Sequence, residues 1–184
     1  MRLFTAIDLS EEVRSNLDRL LARLRPAAPL KWSAAGNLHV TTKFIGEWPE
    51  DRLAEIVAAL RSLPERAPIE ISIRGLGWFP NPRSPRVFWA AVKAPPALLE
   101  LAGATGEALA GLGVPPETRA FSPHLTLARI RERSPLAAVR QAIARLPGDD
   151  FGEFKADRFH LYLSELRSSG SAYTKLEEFV FTGT

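Results

Sequence analysis

Hydrophobic and polar positions along the chain alternate with two periods, one typical of strands and one typical of helices. Residues Arg2–Leu9 are rich in Leu, Phe and Ile, which predicts a first strand. Ser10 can cap the helix that follows, and Glu11 and Glu12 favour its first turn. The apolar face of this helix has helical spacing. It consists of Val13, Leu17, Leu20, Leu21 and Leu24.

The same two periods continue through the rest of the chain. Further helices are predicted after Pro49, from Pro96 to about Leu112, and after Ser134-Pro135. The remaining strands follow from alternation and from runs of β-branched and aromatic residues. They are predicted at 69–79, at 87–92, at about Glu153–Leu163 and at Tyr173–Phe181. This mixture of elements predicts the α+β class.

Two further predicted strands carry the same short motif. The first contains His39-Val40-Thr41, and the second contains His124-Leu125-Thr126. Residues two apart in a strand point to the same face, so each imidazole lies beside a hydroxyl group. A single histidine on a strand is most often a structural residue, but two of the three histidines of this chain share one pattern. The repetition predicts that both motifs form one active site.

The motifs occupy matching places in two similar halves of the chain. The two histidines are 124 − 39 = 85 residues apart, and each lies 11 residues before the start of a predicted helix, at Glu50 and at Pro135. We therefore predict one domain over residues 1–184, built from halves at about 10–92 and 95–181. A pseudo-twofold axis between two similar lobes would bring one histidine from each lobe to a central cleft.

Composition narrows the classes of protein that remain. The hydrophobic content of 46% and the charged content of 24% are ordinary for a soluble domain. The absence of cysteine excludes disulfides and thiolate metal sites. No stretch approaches the roughly 20 apolar residues of a membrane span, and we expect a cytoplasmic protein. A net charge of +3 suits a phosphate-bearing partner but does not require one.

Two histidine–threonine pairs suit displacement at phosphorus. An imidazole can take or give a proton near neutral pH, so two imidazoles on opposite sides of a reacting centre can act as general base and general acid. The hydroxyl groups of Thr41 and Thr126 can donate hydrogen bonds to a phosphate anion. Which histidine is the acid stays open, because the two motifs are nearly equivalent.

Other chemistries fit the sequence less well. A zinc site would need a third and a fourth ligand, and only His160 remains as a further histidine. Neither a G-x-S-x-G nucleophile motif nor a phosphate-binding glycine loop is present. Two alternatives stay open: buried structural histidines, and a nucleotide- or RNA-binding module without catalysis.

Three more residues are candidates for substrate binding. Arg129 lies at an odd step from His124, so only a bulge or a strand end would place its guanidinium in the cleft; a solvated arginine is the alternative. Lys43 lies an even number of residues from His39, so strict alternation places both side chains on one face; a surface role is the alternative. Tyr162 could stack on a base if its strand lines the cleft, although a core position is favoured.

Several segments in this order resemble the 2H phosphoesterase superfamily, and more closely its bacterial and archaeal RNA 2′,3′-cyclic phosphodiesterases, also called 2′-5′ RNA ligases. The resemblance covers nearly the whole chain. It rests on residues 2–8, 37–46, 75–80, 85–90, 123–129 and 161–166. One difference is Thr42, where the family more often has an aliphatic residue. Thr42 is predicted on the face away from His39, so we expect little effect.

The resemblance implies a bilobal fold of antiparallel sheets with helices outside, without a metal or an organic cofactor. It implies hydrolysis of the 2′,3′-cyclic phosphate ends of RNA, or of cyclic nucleotides, to a 2′-phosphate. By the same resemblance, His39 would protonate the departing 3′ oxygen and His124 would activate water. Thr41 and Thr126 would hold the non-bridging oxygens. Joining of ends through a 2′-5′ bond is the formal reverse reaction, and we expect a monomer.

Overall fold

The computed structural model describes residues 1–184 and contains nine strands and four helices. The strands are β1 (Arg2–Asp8), β2 (Lys31–Trp32), β3 (His39–Glu47), β4 (Ile69–Phe79), β5 (Val87–Lys93), β6 (His124–Arg129), β7 (Asp150–Ala156), β8 (Arg158–Arg167) and β9 (Gly170–Val180). The helices are α1 (Glu11–Leu24), α2 (Leu53–Arg61), α3 (Pro96–Ala110) and α4 (Ala137–Ala144). No helix is both long enough and apolar enough to cross a bilayer.

The strands form two antiparallel sheets, which confirms the predicted α+β fold. The first sheet has the order β3-β1-β8-β9, and the second has the order β2-β6-β5-β4-β7. Three helices pack against these sheets, α1 against β7, α2 against β9 and α3 against β3, and α4 packs against α1. One continuous core of 35 buried residues lies between the layers.

Each sheet combines strands from both halves of the sequence. The motif strand β3 comes from the first half, but it shares its sheet with the β8–β9 hairpin of the second half. The motif strand β6 comes from the second half and pairs with β5 of the β4–β5 hairpin. The two repeats predicted at 10–92 and 95–181 therefore do not correspond to the two sheets, because the hairpins are exchanged between them.

The first helix forms as its sequence predicts. Ser10 accepts a hydrogen bond from the backbone N–H of Val13 at 3.3 Å, and Glu11 and Glu12 lie in the first turn, where the helix dipole favours negative charge. All five residues of the predicted apolar face are at most 3% exposed.

One predicted strand is wrong. The segment at about Glu153–Leu163 is not a single strand but the end of β7 and the beginning of β8, with Asp157 between them. β7 pairs with β4 in the second sheet, whereas β8 pairs with β1 and β9 in the first. The chain crosses from one sheet to the other at Asp157, and a single residue leaves the extended pattern of the sequence almost unbroken.

Candidate active site

The two motif strands meet where the two sheets adjoin. Cα atoms of β3 and β6 approach within 8 Å of each other. Ser33 links the motifs, because its backbone N–H donates to the Leu127 carbonyl at 2.9 Å and its hydroxyl donates to the Thr126 carbonyl at 2.7 Å. From Ser33 the chain continues through a short 3-10 turn, Ala35–Asn37, directly into β3. The structure therefore brings the two predicted motifs together.

A bulge in β3 sets the faces of its side chains. Ala6 of β1 pairs with Thr41, but Thr5 pairs with Lys43, so Thr42 is the extra residue. The Thr42 hydroxyl lies 2.7 Å from the Thr5 hydroxyl in the interior, on the face away from His39 as predicted. Beyond the bulge the alternation is reversed.

Lys43 is therefore not beside His39, contrary to the parity prediction. Its side chain is 3% exposed and lies on the interior side of the strand. Its Nζ donates to the Pro115 carbonyl at 2.9 Å and to Glu117 Oε1 at 3.1 Å. Lys43 thus joins β3 to the loop that leads into the second motif, and Phe44 takes the place on the His39 face.

The second motif strand has a bulge at the equivalent position. Trp89 of β5 pairs with Thr126, whereas Phe88 pairs with Ala128, so Leu127 is the extra residue. Arg129, opposite Val87, consequently returns to the face of Thr126 and is exposed. The bulge that the sequence left open is present, and it brings Arg129 to the side of the motif.

His39 lies in an aromatic environment. Its ring stacks against Phe4 and Tyr162, with centroid separations of 4.9 and 5.6 Å, and Tyr173 approaches edge-on at 5.1 Å. Burial among these rings lowers the pKa of His39 from 6.5 to about 4, because a charged imidazole loses its hydration there. The carboxylate of Asp8, the cross-strand neighbour of His39, opposes this change, and Arg14 adds to it.

Asp8 holds the groups around His39 in place. It accepts a hydrogen bond from the Tyr162 hydroxyl and forms an ion pair with Lys175. Burial alone would raise the pKa of Asp8, but the hydrogen bonds from Lys175 and Tyr162 outweigh it and keep the pKa below its ordinary value. His160 is buried between Asp8 and Glu178, with its Nε2 3.3 Å from Glu178 Oε2. The third histidine thus supports Asp8 and Glu178 and does not belong to a motif.

Tyr162 occupies a supporting position. Its ring is 7% exposed and packs on Phe4 at 5.2 Å, so no face is free to stack on a base. Burial, reinforced by the hydrogen bond to Asp8, raises the pKa of its hydroxyl. The core position that the sequence favoured is the one observed.

The segment just before β6 orients the ring of His124. Its Nδ1 lies 2.8 Å from the Ser122 carbonyl, and because a carbonyl oxygen can only accept, this contact assigns the proton to Nδ1. In the neutral ring, Nε2 then carries the free lone pair. The ring of Phe79 contacts His124 edge-on at 5.5 Å.

Several residues of the site were not predicted from the sequence. Phe4 and Asp8 lie on β1, where their even spacing places them on the face that pairs with the first motif. Phe44 and Phe79 reach the histidine faces, and Tyr173 comes from the last hairpin. Of these residues, only Phe4 and Asp8 could have been found from the sequence, because alternation within β1 places both side chains on the same face. No group of three or more His, Asp or Glu side chains is placed to hold a metal ion.

Comparison with known proteins identifies the family. The model of the LigT-like phosphoesterases matches residues 7–89 and matches again at 91–173, so each match contains one His-x-Thr motif. The chain belongs to the LigT-like phosphoesterase family.

Two curated relatives of this LigT-like phosphoesterase carry the same name. A protein of Archaeoglobus fulgidus named RNA 2′,3′-cyclic phosphodiesterase is 35% identical over 97% of this chain and 99% of its own length. A Thermus thermophilus protein of the same name is 37% identical over 100% of this chain and 91% of its own length.

Solved structures agree with this assignment. A crystal structure of a Thermus thermophilus protein superposes with a TM-score of 0.84 at 34% identity, covering 100% of this chain and 99% of that one. Escherichia coli LigT in complex with 3′-AMP superposes with a TM-score of 0.78 at 26% identity, covering 99% and 98%.

Proposed function

We propose that this LigT-like phosphoesterase hydrolyses the 2′,3′-cyclic phosphate ends of RNA, or cyclic nucleotides, to a 2′-phosphate, using two histidines and no metal. The observation that carries the proposal is the meeting of two strands, each with a histidine and a threonine on one face. The curated relatives supply the substrate class, because they are named for this activity.

His124 is suited to be the general base. Its Nδ1–H is held by the Ser122 carbonyl, so the lone pair of Nε2 is available to take a proton from water. The water oxygen attacks phosphorus as that proton moves to Nε2. The bond between phosphorus and O3′ breaks, and the phosphate stays on O2′.

His39 would protonate O3′ as it departs. Its pKa of about 4 in the free protein leaves the ring mostly neutral at pH 7. The negative charge that stabilises the protonated ring must therefore come from the substrate. A bound cyclic phosphate carries one negative charge, and an anion beside a buried imidazole raises its pKa. Binding of the correct substrate thereby favours the protonated acid.

The remaining polar groups would stabilise charge on the phosphate. The hydroxyls of Thr41 and Thr126 share faces with their histidines and can donate to the two non-bridging oxygens. Arg129, on the face of Thr126, adds a permanent positive charge. Joining of a 5′-hydroxyl end through a 2′-5′ bond is the same displacement with that hydroxyl in place of water: its proton passes to His124, its oxygen bonds to phosphorus, and O3′ leaves with the proton of His39.

Turnover by single-histidine variants tests the proposal. His39→Ala and His124→Ala should each lower kcat by at least about 100-fold on an RNA with a 2′,3′-cyclic phosphate end, and adenosine 2′-monophosphate should still bind. Wild type that binds nucleotide stoichiometrically without turnover would favour the non-catalytic binding module instead.

A further inference from the structure

A cavity of about 750 Å³ lies beside the first motif, and the two-histidine mechanism does not use it. Asp8, the cross-strand neighbour of His39, forms one part of its wall. The rest comes from one side of α1 and from Ala34–Gly36, the segment that leads into β3. Ligand sites commonly have volumes of about 300–1,000 Å³. The cavity is therefore large enough for a part of the substrate that extends beyond the reacting phosphate.

Arg14 lines this cavity without a partner in the protein. It belongs to the first turn of α1 and is partly buried, and its Nε is shielded from solvent and forms no hydrogen bond. Glu11 and Asp18 lie three and four residues away on the same helix, which is the spacing of helical ion pairs. Arg14 forms a salt bridge with neither carboxylate. A partly desolvated guanidinium that leaves two nearby carboxylates unpaired indicates an acceptor that the free protein lacks.

The charge of Arg14 acts on His39. It contributes to the low pKa of the His39 imidazole, because two positive charges close together repel each other. A cation without a counter-ion beside His39 therefore opposes the protonated ring that an acid requires. An anion bound to Arg14 would cancel this repulsion and so favour proton transfer to O3′.

The acidic residues of the cavity leave Arg14 free to bind an anion. Asp8 is already paired with Lys175, and the other two carboxylates are exposed to solvent. Arg25 lines the same cavity, and its Nη2 donates to the Ser33 carbonyl at 3.1 Å rather than to a carboxylate. An arginine presents its donors in a planar fork that matches the oxygens of a phosphate group. The ligand chemistry that fits the cavity is therefore a phosphate group.

We infer that Arg14 binds the phosphodiester group on the 5′ side of the terminal nucleotide of an RNA substrate. The inference rests on the proposed function and on His39 as the acid. O3′ departs at His39, so the ribose that carries O3′ lies on the His39 side of the reacting phosphate. The phosphodiester at C5′ of that ribose is the next anionic group of an RNA strand, and the cavity of Arg14 lies on the same side.

This contact distinguishes the two substrate classes of the proposed function. An RNA end carries the 5′ phosphodiester, whereas a nucleoside 2′,3′-cyclic phosphate has a free 5′-hydroxyl group. Only the RNA end can neutralise Arg14, and it thereby also favours the protonated form of His39. The site is thus suited to RNA ends in preference to cyclic nucleotides.

Three substrates isolate the phosphate contact. Adenosine 2′,3′-cyclic phosphate has no 5′ phosphate, its 5′-phosphorylated form has one, and adenylyl-(3′→5′)-adenosine 2′,3′-cyclic phosphate has the phosphodiester itself. The ratio kcat/KM is measured on each for wild type, Arg14→Gln and Arg14→Lys. Arg19→Gln is the matched control, because Arg19 is an exposed arginine of the same helix that does not line the cavity.

We expect Arg14→Gln to lower kcat/KM by about 10- to 100-fold on the two substrates with a 5′ phosphate group, the usual loss of one charge-assisted hydrogen bond. Its effect on adenosine 2′,3′-cyclic phosphate should be much smaller. Arg14→Lys should recover part of the loss, because lysine keeps the charge but not the planar fork. Arg19→Gln should match wild type on all three substrates.

Equal losses on all three substrates in Arg14→Gln would overturn the inference, because they would place Arg14 at the reacting phosphate or in the support of the fold. It is also overturned if Arg14→Gln and Arg19→Gln give the same kcat/KM on the two substrates with a 5′ phosphate group. A loss on the dinucleotide alone would overturn it too, since the contact would then be with the second nucleoside. Wild type that hydrolyses none of the three contradicts the proposed function itself, a result distinct from turnover that does not depend on Arg14.

Discussion

Mild acidification should destabilise this protein through His39. Burial against Phe4, Tyr162 and Tyr173 lowers the pKa of the folded imidazole to about 4, whereas an unfolded chain has the ordinary value of 6.5. The unfolded state therefore binds the proton more tightly. The free energy of unfolding is unaffected above pH 6.5 and falls as the pH drops from 6.5 towards 4.

The size of the effect follows from these two pKa values. At pH 5.5 the unfolded imidazole is mostly protonated and the folded one mostly neutral, which lowers the free energy of unfolding by about 1.4 kcal/mol. The full loss, reached near pH 4, is about 3 kcal/mol. Domains of this size are stable by about 5–15 kcal/mol, so the change at pH 5.5 is measurable.

Urea unfolding at pH 7.5 and pH 5.5 measures this loss in wild type and in His39→Gln. Glutamine does not titrate, and all other ionisable groups are the same in both proteins, so their effects cancel in the comparison. Wild type should lose about 1.4 kcal/mol more than the variant between the two pH values. An equal loss in both proteins would refute the desolvation of His39.

Three further outcomes are expected. Binding of adenosine 2′-monophosphate should raise the pKa of His39, as followed by NMR of its ring, and an unchanged pKa would contradict the proposed electrostatic support. Thr41→Val and Thr126→Val should each lower kcat by about 100-fold without lowering the unfolding midpoint. A variant that lowers the unfolding midpoint together with kcat would indicate a structural role for that threonine. Lys43→Met should lower the unfolding midpoint with little change in KM, whereas Arg129→Gln should raise KM; the opposite pattern would place Lys43 in the cleft after all.

The motif faces could be predicted from the sequence because they depend on two-residue alternation alone. His39 and Thr41 share one face and His124 and Thr126 share another, as the pairing registers show. The convergence of the two strands followed from the repeat, which needs no knowledge of the sheets. The sequence pattern was therefore most informative for the four residues to which the chemistry is assigned.

The fifth position after each histidine could not be predicted by the same reasoning. A single extra residue reverses every side chain beyond it, and no turn residue or glycine marks Thr42 or Leu127 as the place. Alternation therefore placed Lys43 in the cleft and did not single out Phe44. The bulges follow from pairing with neighbouring strands, which is long-range information.

Strand exchange between the halves was hidden for a related reason. The repeat in the sequence indicates which elements resemble each other but not which of them pair. Only Asp157 separates β7 from β8 where the chain crosses between the sheets, so the two strands have the sequence pattern of one continuous strand. The aromatic surroundings of His39 depend on this exchange, because Tyr162 and Tyr173 come from the hairpin of the other half.

The most direct test of the two-histidine mechanism is hydrolysis of a short RNA that ends in a 2′,3′-cyclic phosphate, in the presence of EDTA. Chromatography resolves the 2′-phosphate from the 3′-phosphate product. We predict a 2′-phosphate product from wild type and none from His39→Ala or His124→Ala. Activity that EDTA abolishes, or a 3′-phosphate product, would contradict the account.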